Sequence, residues 1–99
     1  MQEFTLRVHV YFKGRCILTC KPYFIKGASK ELALLKEIDE YYEKINSGQS
    51  MAFELIDGTF HAFFGEMLKK ISFSFKIMTD DEVRAQETEF EEMLNKMKL

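Results

Sequence analysis

Residues 3–20 read EFTLRVHVYFKGRCILTC, and the rest of the architecture hangs on how this stretch pairs. Phe4, Leu6, Val8, Val10 and Phe12 alternate with Glu3, Thr5, Arg7, His9 and Tyr11. A period of two places the apolar set on one face of a half-buried strand. Lys13-Gly14 interrupts the run, and Cys16, Leu18 and Cys20 resume it, which predicts a hairpin. A three-residue loop, Phe12-Lys13-Gly14, with Gly14 in the left-handed position of a G1 bulge, pairs Val10 with Cys16, Val8 with Leu18 and Leu6 with Cys20. All apolar side chains then share a face. A two-residue Lys13-Gly14 turn mixes the faces by setting Val8 opposite Thr19, so the bulged loop is the expected one. Pro22, which lacks an N–H, marks an edge or a kink in the second strand.

Downstream, Ser29 is placed to cap a helix whose first turn holds Glu31. Leu34, Leu35, Ile38, Tyr41, Tyr42 and Ile45 form its apolar stripe to about Asn46, and Gly48 supplies a stop. Asp57-Gly58 between apolar runs predicts a two-residue type I′ hairpin over 51–64. That turn sets Leu55 against Phe60, Phe53 against Ala62, Met51 against Phe64, and Glu54 against His61 on the other face. After a connection over 65–70, Ile71, Phe73, Phe75 and Ile77 alternate as a fifth strand. Thr79-Asp80-Asp81-Glu82 has capping-box spacing and opens a last helix carrying Val83, Phe90, Met93, Leu94 and Met97.

The order ββαβββα predicts a single α+β domain over 1–99. The expected form is a two-layer sandwich, a five-stranded antiparallel sheet with two helices on one face. The 99 residues, 46% apolar and 30% charged, suit one folded core without disulfide or metal staples. Ten Phe and no Trp make Phe packing a main stabilising element. The chain opens without the pattern of a signal peptide and contains no run of ~18 apolar residues, so the expectation is a cytoplasmic protein with no membrane span. Cys16 and Cys20, roughly 13 Å apart on one strand, lie outside disulfide reach and are expected as buried thiols.

Charge is uneven. Residues 1–30 carry +5, residues 31–79 carry −3 and residues 80–99 carry −4. The basic end suits an acidic partner or the chain's own acidic helices.

No motif names a chemistry. His9, His61, Cys16 and Cys20 lack metal-ligand spacing. His61 opposite Glu54 reads as a surface pair rather than a dyad. No Gly-rich loop opens a helix, so no phosphate cradle is expected. No catalytic, metal or cofactor-binding residue is assigned, no cofactor is expected, and the chain is not read as an enzyme. What remains is the sheet face away from the helices, where Arg7, His9, Tyr11, Ile56 and Phe63 form a mixed apolar and basic interaction face. The leading expectation is a non-catalytic protein-binding module of inhibitor, adaptor or immunity type, bound to another protein or to itself as a homodimer. The alternative is a single-stranded nucleic-acid-binding domain that stacks bases on the basic and aromatic sheet face.

Overall fold

The computed structural model describes residues 1–97 and has the order β1 (Gln2–Phe12), β2 (Arg15–Thr19), β3 (Tyr23–Gly27), α1 (Lys30–Asn46), β4 (Met51–Glu54), β5 (Phe60–Phe63), α2 (Met67–Lys70), β6 (Ile71–Met78) and α3 (Asp80–Met97). The α+β class and antiparallel pairing are as expected. The sheet is not one five-stranded unit. Four strands, β2, β1, β3 and β6, form one sheet, and β4–β5 form a second of two. A bridge between Cys20 and Leu55 and a bond from Lys21 N–H to the Glu54 carbonyl (2.9 Å) connect them. Pro22 divides the second expected strand into β2 and β3, which pair with opposite ends of the long β1 on the same edge. β6 occupies the other edge of β1.

The alternation of β1 is realised as read. Phe4, Leu6, Val8 and Val10 are fully buried, and each such side chain stabilises the fold by about 1.5–3 kcal/mol. α1 covers this face. Ser29 caps it by accepting from the Leu32 N–H at 3.2 Å, and Gly48 follows its end with φ 73°. Its inward stripe is Ala33, Leu34, Ile38, Tyr41 and Ile45, whereas Leu35 and Tyr42 point to solvent. Tyr41 binds the two sheets together, meeting Phe73 and Phe75 edge-on at 5.2 Å and Phe53 at 6.1 Å.

Both hairpin loops differ from the expected type. The β1–β2 turn has two residues, Lys13 (φ 51°) and Gly14 (φ 78°), both left-handed as a type I′ turn requires. A bulge between Val10 and Tyr11 and their partners then sets Val10 opposite Leu18 and Tyr11 opposite Cys16, in place of the expected Val10–Cys16 and Val8–Leu18 pairs, and leaves Ile17 unpaired. Cys16 consequently faces away from the core and is exposed, while Cys20 is buried; both thiols are free.

At the β4–β5 end the loop holds three residues, Ile56-Asp57-Gly58, closed by Gly58 N–H to the Leu55 carbonyl (2.9 Å) and Leu55 N–H to the Thr59 carbonyl (2.8 Å). Asp57 accepts from the Thr59 N–H at 3.0 Å and from its hydroxyl at 2.6 Å. This Asx-type closure holds Asp57 in a right-handed turn and leaves Gly58, at φ 84°, as the single left-handed residue. The register moves by one: Met51 pairs Phe63 and Phe53 pairs His61. A shift of one turns every β5 side chain over.

The helices do not share a face. β6 ends on Met78, whose cross-strand partner Thr5 belongs to the side of β1 opposite the α1-covered core. The chain enters α3 there, with Val83 beside Thr5 and Arg7. Met78 and Thr5 are both buried beneath this crossing. A third, four-residue helix, α2, occupies what the sequence suggests is a plain connection, and plugs the core with Leu68.

Candidate interaction surface

Three of the five expected face residues lie together. Arg7, His9 and Tyr11 project from β1 away from the core, with cross-strand partners Lys76, Ser74 and Ser72 on β6. The bulge in β2 adds Cys16 and Thr19 to this face: His9 Nδ1 is 3.4 Å from Thr19 Oγ1 and 3.9 Å from Cys16 Sγ, and Cys16 directs its S–H to the Leu18 carbonyl at 3.5 Å. The thiol hydrogen is thus engaged by a carbonyl, and His9 is held by a hydroxyl. This is a surface hydrogen-bond cluster rather than an activated nucleophile, which needs its base oriented by a third group.

The other two residues are elsewhere. Phe63 is only 5% exposed and packs between Phe53 (5.9 Å) and His61 (4.8 Å) on the α1 side, a correction forced by the one-residue shift of β5. Ile56 is exposed, but at the tip of the β4–β5 loop. The shift exposes Phe60 and Phe64 in their place. Glu54 pairs with Phe60, not His61, and its carboxylate reaches Lys21 Nζ at 3.5 Å.

α3 contributes a surface that sequence reasoning left in the core. Its first turn is anchored as the capping-box spacing predicts, with Thr79 Oγ1 accepting from the Glu82 N–H at 3.2 Å. Lys30, at the start of α1, pairs with the Glu82 carboxylate and holds its pKa below the ordinary range. Val83 and Gln86 are half-buried; from Glu87 to Met97 every residue is exposed. Arg7, Gln86, Glu87 and Phe90 line an opening of about 280 Å³ where helix and sheet part. Beyond it, Phe90, Met93, Leu94 and Met97 are 62%, 60%, 42% and 78% exposed. These spacings of three and four put them on one side of the helix. The polar stretch between Arg84 and Glu89 suggests a helix packed along a narrow stripe or by its second half alone; instead its first turns lie against the sheet and its second half is exposed.

A separate cleft of about 320 Å³ opens between α1 and β4. Tyr23 donates to Glu37 Oε2 at 2.8 Å and lies 3.2 Å from the Tyr41 hydroxyl. Burial first, then this hydrogen bonding, pushes the Tyr23 phenol far above its ordinary value, and burial raises Tyr41 as well. Both stay protonated at neutral pH. Their hydrogen bonds tie β3 to α1. Burial likewise pushes the Cys20 thiol at the cleft floor up to about 11, with Cys16 adding to the effect.

Among the described residues no group of three or more His, Cys, Asp or Glu is placed to hold a metal ion, and no helix is long and apolar enough to cross a membrane. Comparison with protein-family models, with curated proteins and with solved structures finds no match to this chain.

Proposed function

We propose that this chain is a non-catalytic protein-binding module, and that the second half of α3 is its binding element. One observation carries the reading: four large apolar side chains, Phe90, Met93, Leu94 and Met97, share one side of a helix that is anchored at its start and uncovered thereafter. At roughly 200 Å² for a side chain of this size, they leave about 480 Å² of apolar stripe in water. That is the scale at which the largest patch on a monomer is often functional. Methionine at two of the four positions adapts to a partner's contours with little strain. The acidic residues Glu87, Glu89, Glu91 and Glu92 around the stripe keep it soluble.

Photo-crosslinking tests this directly. A benzophenone side chain at position 93, in living cells that make the protein, is expected to give adducts of discrete mass, and one at Glu43 on the outer side of α1 is expected to give none. A smear or no adduct at 93 rejects the reading.

A second reading rests on the β1 face. Arg7 and Lys76 stand directly opposite each other, two like charges that favour an anion nearby, and Tyr11 shares the face. A single-stranded nucleic acid supplies phosphates and bases to both. Binding to random single strands that weakens steeply with salt, and is lost in Arg7→Ala/Tyr11→Ala, favours this reading over the first.

A further inference from the structure

The partner that the α3 stripe fits is a second copy of this chain. We propose that the protein forms a two-fold dimer in which the exposed halves of two α3 helices pack antiparallel. The inference rests on the binding-module reading and names its partner.

Val83, Gln86, Phe90, Met93 and Met97 follow one another at intervals of three and four, the repeat of a helix that packs along a seam, and Leu94 widens the seam at its middle. The first two lie against the chain's own sheet, and the rest of the same stripe continues unpaired. Two stripes of about 480 Å² facing each other bury close to 1,000 Å², the lower bound for a specific interface. The dimer is therefore concentration-dependent rather than obligate.

Charge fixes the direction. At 100° per residue, Glu89 and Lys96 fall on the same flank of the stripe, two turns apart. An antiparallel pair centred near Met93 sets Glu89 of each chain beside Lys96 of the other, two reciprocal ion pairs, and brings Phe90 against Leu94 and Met97 of the second copy. A parallel pair instead brings Glu89 of each chain toward Glu87 and Glu91 on the opposite flank of the other, like charges on both sides of the seam. Antiparallel packing also opposes the helix dipoles. A closed two-fold contact of this kind uses the same patch on both chains, so it does not propagate into fibres.

Sedimentation velocity over two decades of concentration is the test. The mass is expected to rise from one chain toward two for the native sequence and to remain at one chain for Met93→Glu/Met97→Glu. Both positions are exposed, and an unchanged circular dichroism spectrum confirms that the fold persists. Lys96→Glu is expected to weaken the dimer about tenfold, and adding Glu89→Lys to restore it. A mass of one chain throughout, a dimer indifferent to Met93→Glu/Met97→Glu, or no recovery in the charge-swapped double variant overturns the proposal. A monomeric protein whose position 93 crosslinks to a different protein overturns the dimer and leaves the binding-module reading standing; a monomer without any adduct overturns both.

Discussion

The methyl group of Ala33 stands where a side chain on Gly27 would have to go: a Cβ built on Gly27 lies 2.7 Å from the Ala33 Cβ. Gly27 closes β3 and Ala33 is the fully buried residue of the first turns of α1, so this contact sets how closely the helix approaches the sheet. Gly27→Ala is expected to cost about 1–3 kcal/mol through overpacking. Ala33→Gly removes the nearest clashing atom, leaving the Ala33 backbone N and Cα at 3.0 Å, at about 1 kcal/mol in helix propensity. In urea unfolding, the double variant is expected to be more stable than the sum of the two single changes; simple additivity would show that the two residues do not meet.

Phe73 joins the two sheets through Tyr41, 5.2 Å away, and Phe53, 5.8 Å away. The sequence places it on the core side of β6, and the structure does the same, although it remains partly exposed. Phe73→Ala is expected to cost about 3 kcal/mol, at the low end for a Phe truncation because burial is incomplete. A loss below about 1 kcal/mol in the same denaturation experiment means that the aromatic cluster is not a unit of stability.

The two thiols differ in reactivity and in pH response. Exposed Cys16 is expected to react with a thiol reagent in the native protein, and buried Cys20 only on unfolding. The folded chain holds the Cys20 proton up to about pH 11, whereas the unfolded chain releases it near the ordinary value of 9.0. Between those values the native state binds more protons, so its stability is full below pH 9 and declines as pH rises toward 11. Urea midpoints measured across that window in native sequence and Cys20→Ala are expected to diverge in slope; parallel curves would remove Cys20 as the source.

Glu82 joins the starts of α1 and α3 through Lys30, and its pKa is lowered chiefly by that hydrogen bond. A lowered carboxylate stabilises the fold above its unfolded pKa, and the contribution disappears as pH falls through the folded value. Glu82→Gln is expected to lower the melting temperature slightly at pH 7 and to match the native sequence in strong acid. The pair is at the surface, so added salt shrinks the difference at pH 7. A difference that persists in acid points to packing rather than charge.

Much of the fold was legible because the periods were clean. The alternation of Phe4 to Val10 named its own buried face, Ser29 and Gly48 bounded α1, and Thr79 to Glu82 marked the start of α3. Each signal is local, made by side chains within a few positions of the backbone groups they satisfy. Loop length was less legible. Lys13-Gly14 and Ile56-Asp57-Gly58 each admit a two-residue or a three-residue closure, and the choice turned on whether Lys13 adopts a left-handed conformation and whether Asp57 bonds to Thr59. One residue of difference buried Phe63 and exposed Phe60.

Sequence by itself determined the α+β class, the two long helices and the inward side of β1, because hydrophobic period and caps are properties of neighbouring residues. Tertiary structure alone decided that β2 and β3 share one edge of β1, that β4–β5 stands as a separate pair, and that α3 crosses to the face opposite α1. Those outcomes depend on bulges, on Pro22 and on the direction the chain takes after Met78, where a shift of one residue exchanges one face of a sheet for the other. The uncovered half of α3 follows from the same cause: a helix sent to the polar side of a sheet finds too little apolar surface there to bury its own.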